Sequence, residues 1–172
     1  DMETHTKHVQ QAISALTRAN LILNPAKCHF TQKAVYLLGF CISEQGKSLD
    51  TRKVSNAIEW PLPRTGKDIQ RFMGVVTYFR EHVQRMSHHS APIDALRNAG
   101  SLEGLWTDEH TKAFKRLKRE LIKNVLLHFP DLNEPFHVAT DASKHGIGAA
   151  LFQKINGKEH CISFMARALS KS

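Results

Sequence analysis

Cysteine is scarce and scattered: Cys28, Cys41 and Cys161 are the only three in 172 residues. An odd, dispersed set with no CxxC pair and no Cys/His cluster at zinc-finger spacing argues against a disulfide framework and a structural zinc site. Reduced thiols are expected. No apolar run approaches the roughly 18 residues of a membrane-spanning helix. No signal peptide is expected from these residues. A soluble intracellular chain, in cytoplasm or nucleus and without a membrane partner, is therefore expected. Acids are also few, 16 Asp+Glu against 24 Lys+Arg. No two aspartates are adjacent, and beyond Asp141 the only acid is Glu159. A two-metal phosphodiester site needs several carboxylates around both ions, so this chain cannot assemble one from Asp141 alone. Internal repeats and low-complexity segments are absent.

What is there is positive charge. The formal net charge is +8 and the pI about 9.6, with 11 His in reserve at mildly acid pH. Such a balance favours a polyanion, nucleic acid before membrane. Hydrophobic content of 41% suffices for one compact domain or two small ones. The chain starts with Asp1 and stops at Lys171-Ser172 without a helix-ending signal, as if both ends were cut from something longer.

Residues 3–19 read as a helix with Val9, Ala12, Ile13 and Leu16 on its apolar face and Asn20 as its stop. His5 and His8 on it are expected to be solvated. Pro25 breaks the pattern. KCHF, AVYLLGFCIS and the turn EQGKS then read as strand, turn, strand. From Leu49 to Trp60 the pattern is helical, with Asp50 as N-cap and PLP at 61–63 as stop. Thr65 caps the next helix with Asp68 three residues on. It runs to about Val83, with Ile69, Phe72, Met73, Val76, Phe79 and Val83 as its apolar stripe. Ser90–Leu96 reads as a short helix with Pro92 in its first turn, and Asn98, Gly100 and Ser101 as a boundary. Thr107 caps a further helix with Ala113, Phe114, Leu117, Leu121 and Ile122 on its buried face. Pro130 and Pro135 bracket a loop. Strands are expected at about 136–141, 146–154 and 160–166, the last two joined by an Asn156-Gly157 turn.

Three places could carry chemistry. In FHVATDAS, alternation puts Phe136, Val138 and Thr140 on one face and His137, Ala139 and Asp141 on the other. A carboxylate presented from a strand suits a divalent cation; the plainer reading is an Asp capping the SKHG turn. On the 65–83 helix, Gly74 lies opposite the apolar stripe, in line with Gln70 and Tyr78. A glycine in an exposed helix interior costs about 1 kcal/mol relative to alanine. It either permits close approach of a ribose or backbone, or is merely tolerated on a solvated face. Gln70, Gly74, Thr77 and Tyr78 would form a smooth track about 12 Å long, suited to a wide, shallow minor groove. Arg71, Arg80 and Arg85 flank it and suit phosphate. Third, YLLGFCIS could hold a strand end on a Gly-aromatic hairpin, or be plain core.

Taken in order, LNPAKCHF, YLLGFCIS, WPLPRTGKDIQRFMGVVTYFREHVQ, SAPIDAL, LWTDEHTKAFKRLKREL and FHVATDASKHGIGAAL resemble the reverse transcriptase–ribonuclease H region of gypsy-type LTR retrotransposon Pol polyproteins. The resemblance covers nearly the whole chain. It implies an α+β fold: palm-end strands and helix, a helical thumb, then a helix and the three-stranded antiparallel start of an RNase H-like sheet. The implied segments are 1–48 for the palm end, 49–100 for the thumb, and 101–172 for the connecting helix and N-terminal RNase H-like part. Leu38, Gly39 and Phe40 fall at the centre of the primer-grip-like hairpin, where the family more often has histidine in place of Phe40. Gln70, Gly74 and Tyr78 fall on the minor-groove track, with Arg71 and Arg80 beside it. Asp141 matches the first metal-binding carboxylate of RNase H.

The polymerase motif Tyr-x-Asp-Asp is absent from this chain, and so are the other RNase H carboxylates. The resemblance thus implies a fragment that keeps duplex-holding surfaces but has no complete active site and is inactive alone. Mg²⁺ would serve the intact parent and is not expected to bind tightly here. Expected partners are RNA–DNA hybrid or duplex, the rest of the polyprotein, and a second copy through an uncovered sheet face. The other reading is a non-enzymatic nucleic-acid-binding or interaction module, a decayed or co-opted relic.

Overall fold

The computed structural model describes residues 1–144 and 146–169, with Asn56 described by its backbone only. The chain divides into two compact units, residues 1–33 and 34–172.

In the first unit, helix α1 (Met2–Arg18) is capped by Asp1, whose carboxylate accepts from the Thr4 N–H. Asn20 takes a left-handed φ of 58° just after it, matching its expected role as the stop. None of α1 is buried; Val9 and Leu16 are half-buried, while Ala12 and Ile13 are exposed, as are His5 and His8. KCHF is not a strand. Asn24 and Pro25 start a single 3-10 turn (Pro25–Lys27), and the Cys28 N–H closes it on the Pro25 carbonyl.

The second unit opens with a three-stranded antiparallel sheet: β1 (Ala34–Leu37), β2 (Phe40–Ser43) and β3 (Gly46–Leu49). The expected EQGKS turn is shorter than it reads. Only Glu44 and Gln45 turn, and Gly46 to Leu49 pair back on β2. The helical pattern therefore begins two residues later than expected, at α2 (Thr51–Ile58), with Asp50 accepting from the Arg52 N–H as N-cap. The Lys118 ammonium donates to the Ile58 carbonyl (2.7 Å) and the Trp60 carbonyl, neutralising the negative end of α2.

Helix α3 (Gly66–Tyr78) begins with the expected capping box: Thr65 Oγ accepts from the Asp68 N–H (3.2 Å), and the Asp68 carboxylate accepts from the Thr65 N–H (3.0 Å). All six stripe residues, Ile69, Phe72, Met73, Val76, Phe79 and Val83, are buried. At roughly 1.5–3 kcal/mol for each large side chain, that burial outweighs the penalty of Gly74. The helix ends five residues short of Val83. Phe79 leaves helical geometry at φ −97°, and a 3-10 turn (Arg80–His82) tightens the chain and carries His82 inwards.

The following helix, α4 (Met86–Asp94), starts four residues earlier than expected and ends two residues after Pro92. Pro92 thus lies in its closing turn, not its first, because the left-handed Arg85 (φ 51°) has already started the helix.

Helix α5 (Asp108–Ile122) buries Phe114, Leu117, Glu120 and Leu121. Ala113 is half-buried and Ile122 exposed, so the apolar face is narrower than the sequence suggests. Phe114 meets Phe72 with ring centroids 4.3 Å apart, and Trp60 and Trp106 pack edge-on against this pair. One core joins Leu49 to Leu121 through these rings.

A second antiparallel sheet follows: β4 (His137–Ser143), β5 (Gly146–Ile155) and β6 (Lys158–Ala168). Asn156 and Gly157 form the expected turn, both at positive φ. Between the sheets, Lys47 and Leu127 exchange backbone hydrogen bonds (2.7 and 2.9 Å), and the His128 N–H reaches the Cys161 carbonyl on β6 (2.7 Å). Gly46 permits this, since a Cβ there would lie 2.1 Å from the Leu127 oxygen.

His82 is buried against this junction. Its Nδ1 lies 3.0 Å from the Val125 carbonyl, while buried Nε2 has no partner. Burial lowers its pKa, and burial likewise lowers those of His89 and His128. The unfolded chain takes up these protons near pH about 6.5, whereas the folded chain resists until lower pH. Stability from this source is complete above about pH 6.5 and is lost progressively as pH falls below it. Thermal unfolding should show a lower midpoint at pH 5.5 than at 7.5, and His82→Gln should flatten that dependence. A midpoint that rises on acidification contradicts the burial argument.

Candidate nucleic-acid interface

The β1–β2 connection is a two-residue turn with both centres at positive φ, Leu38 at 51° and Gly39 at 85°. Positive φ at both positions is the signature of a tight hairpin turn whose twist matches the strands. Leucine is an unusual occupant, and a bulky residue holds that conformation only when its surroundings impose it. Here the Tyr78 hydroxyl, at the end of α3, donates to the Leu38 carbonyl at 2.6 Å. Gly39 is confined as well: a Cβ would approach the Phe79 ring to 3.3 Å. The turn is thereby pinned to the end of α3, with the Leu38 side chain exposed.

Phe40 turns inward. Its ring lies 5.7 Å from Tyr78 and 5.6 Å from His82, both stacked, and 5.5 Å from Phe79 edge-on. The Lys47 ammonium stands 5.0 Å from its centroid and also pairs with Glu81 at 2.7 Å. That hydrogen bond from Lys47 holds the Glu81 carboxyl below its ordinary pKa. Phe40 is therefore an internal brace of the hairpin.

On α3, Gln70, Arg71, Gly74, Thr77, Tyr78 and the following Arg80 are all exposed. A Cβ built on Gly74 meets nothing within 4 Å, so its space is open. The Gln70 amide donates to the Arg97 carbonyl at 2.8 Å, which ties the side chain to the chain beyond α4. Arg71 stands 3.7 Å from Asp68. Positions 70, 74 and 78 recur one turn apart, and the side chain of Tyr78 touches the hairpin turn. The two sequence-expected elements, hairpin tip and helix track, are thus contiguous.

Asp141 is not among them. It sits in β4 opposite Gly148, within the strand and not in the turn after it; the SKHG turn includes His145, which lies outside the described residues. Its carboxylate pairs with Arg85 at 3.1 Å. The start of α4 lies against this sheet, because a Cβ on Gly146 would come within 2.7 Å of the Ser87 hydroxyl. A cleft of about 320 Å³ opens beside the pair, lined in part by Gln84, Gly148, Phe164 and Met165. Among the described residues, no group of three or more His, Cys, Asp or Glu could hold a metal. One carboxylate facing a guanidinium does not fit a divalent-cation site. The Arg85–Asp141 pairing spans 56 positions and has no local sequence signal.

The far face of the sheet is open in part; its other end is covered where Gln153, 1% exposed, bonds to Asp131 and Glu134. Thr140, Ala149 and Met165 form one cross-strand row, flanked on the same face by Val138 and Ile147. Val138, Ile147 and Met165 are 63%, 46% and 69% exposed. Among the described residues, no helix is long and apolar enough to cross a membrane.

Residues 106–172 match the family described as an RNase H-like domain found in reverse transcriptase. The chain is 31% identical over 183 residues to the retrovirus-related Pol polyprotein from transposon opus of Drosophila melanogaster, covering 100% of this chain and 18% of that polyprotein. It is 31% identical over 169 residues to the transposon Tf2-3 polyprotein of Schizosaccharomyces pombe, covering 98% and 13%. The foamy viral protease-reverse transcriptase in complex with RNA/DNA hybrid shares the fold, with a TM-score of 0.80 at 23% identity over 99% of this chain and 23% of that one. The same enzyme in complex with double-stranded DNA gives 0.78 at 22% identity, over 99% of this chain and 36% of that one.

The two sheets joined through a helical middle are thus a fold shared with those reverse transcriptase structures. This chain is homologous to the reverse transcriptase–RNase H region of retroelement Pol polyproteins, and it spans less than a fifth of the length of the two polyproteins described.

Proposed function

We propose that this chain is the duplex-holding portion of a retroelement reverse transcriptase–RNase H, comprising the end of the palm (1–48), the thumb (49–100) and the beginning of the RNase H-like part (101–172). Its substrate is RNA–DNA hybrid or duplex, met in cytoplasm or nucleus. The intact parent would copy RNA into DNA and degrade the RNA of the hybrid. The observation that carries this reading is the open space over Gly74, set between Gln70 and Tyr78 on a helix end that also pins the Leu38-Gly39 turn. A smooth helical track with a hairpin tip at its end offers a sugar-lined groove a place to lie, with Arg71 and Arg80 beside it for phosphate. In the intact parent, holding Mg²⁺ would require both further carboxylates from outside these residues and release of Asp141 from Arg85.

A second reading, a non-enzymatic module derived from the same polyprotein, is favoured by the Arg85–Asp141 pair, in which a guanidinium holds the one candidate catalytic carboxylate.

Gly74→Ala tests the track. Alanine has room there and is the better helix former, so stability should rise by about 1 kcal/mol. Hybrid binding should nevertheless weaken, because the added methyl stands where the groove must approach. Anisotropy titration of a labelled hybrid that gives equal affinity for both chains would show that the glycine is only tolerated. With Mg²⁺ or Mn²⁺ the chain should neither extend a primer nor cleave the RNA of a hybrid; cleavage abolished by Asp141→Asn would restore an active nuclease. The exposed face around Val138, Ile147 and Met165 should drive self-association. Sedimentation should show a concentration-dependent oligomer that Met165→Lys reduces, and a monomer at all concentrations would remove that partner.

A further inference from the structure

Residues 112–123 hold six of the 24 Lys and Arg: Lys112, Lys115, Arg116, Lys118, Arg119 and Lys123. Lys118 is engaged with the end of α2, and Lys123 pairs with Glu120 at 2.8 Å. The other four, Lys112, Lys115, Arg116 and Arg119, are exposed, and none has an ion-pair partner among the described residues. At 100° per residue they share an arc of about 100° opposite the buried Phe114, Leu117 and Leu121. Between Lys112 and Arg119 they span about 10 Å along the helix.

This is not an ordinary solvated face. Such faces mix both signs, and i,i+4 pairs of opposite charge support the helix. Here the close pairs among the four are all like-charged: 112 with 115 and 116, 115 with 119, and 116 with 119. Opposite charges stand only at the two ends, Asp108 and Glu109 before Lys112 and Glu120 after Arg116, and Glu120 is paired with Lys123. These pairs destabilise the helix on its own, and a polyanion would relieve them.

We propose that the outer face of α5 is a second nucleic-acid site, which grips the sugar-phosphate backbone through Lys112, Lys115, Arg116 and Arg119. The four side chains include no amide or aromatic group for a base edge, so they bind phosphate, independently of sequence. A membrane surface fits poorly, because an interfacial helix must sink its apolar face into lipid, and that face of α5 is buried under Phe72. A protein partner fits poorly as well, since the four cations surround no aromatic anchor. The inference shares the nucleic-acid reading of α3 but stands on separate residues.

The test uses two variants of the full chain, Lys112→Gln/Lys115→Gln and Arg116→Gln/Arg119→Gln, since glutamine keeps helix propensity. Labelled RNA–DNA hybrid is titrated across several salt concentrations. Removing one cation that binds phosphate should reduce the slope of log affinity against log salt by about 0.9. Each variant removes two, so its slope should fall by up to about 1.8, with its thermal midpoint unchanged or raised. Gly74→Ala should weaken binding without altering the slope. An unchanged slope in folded variants overturns the proposal. So does a parent chain that binds no hybrid at low salt, or one that binds phosphatidylserine vesicles in preference to hybrid. If the α5 variants show the reduced slope while Gly74→Ala binds like the parent, the α5 site stands and the α3 track fails.

Discussion

Residues 124–128 leave the end of α5 and are held on both sides at once. Asn124 takes a left-handed φ of 45° to end the helix, and its side-chain oxygen accepts from the Leu49 N–H at 2.7 Å. Leu127 then pairs with Lys47, and the His128 N–H bonds to Cys161. A buried backbone must satisfy its polar groups, and this segment does so by joining two sheets that share no strand. The joint depends on backbone meeting backbone at Gly46, where any side chain would collide with Leu127. Hairpin, ring core and RNase H-like sheet take their places from that approach.

The same constraint organises the candidate interface. His82 reaches the Val125 carbonyl of the joint with one ring nitrogen and stacks its face on Phe40. Phe40 in turn packs on Tyr78 and Phe79, and Tyr78 holds the Leu38 turn. A continuous run of packed rings therefore leads from the joint to the hairpin tip. Phe40 supplies an apolar ring that sets the hairpin on the helix end. The surface left outward is the Leu38 side chain, Gly74 and the exposed parts of Gln70, Thr77 and Tyr78, with Arg71 and Arg80 beside them, which is chemistry suited to a sugar-lined groove more than to a base edge.

Much of this was legible in local pattern. The α3 stripe, its Thr65–Asp68 cap, the Asp50 cap and the Asn156-Gly157 turn all stand as their residue types require. These are short-range effects: helical period, side chains that cap, and residues that accept positive φ. The misreadings share a cause. β3 looked like turn and helix start because its four residues, Gly46 to Leu49, include a glycine and carry weak strand preference, and only pairing with β2 and Leu127 makes them a strand. α4 began early because Arg85 adopts a left-handed conformation that no propensity foretells. α3 ended early because His82 is drawn towards Val125.

Local pattern is enough for most element types, KCHF and β3 excepted, and for the buried stripe of α3 and the outward position of Gly74, because each is carried by neighbours within a turn or two; the family is carried by the order of motifs along the chain. Tertiary structure alone decided that Phe40 faces inward, that Tyr78 anchors the turn at Leu38, and that Arg85 meets Asp141. Those pairings join residues about 40 or more positions apart, and their energies arise only once Gly46 lets the two sheets close on residues 124–128. A one-dimensional pattern records what each residue prefers. Which distant partner it meets is settled by where the backbone can approach itself.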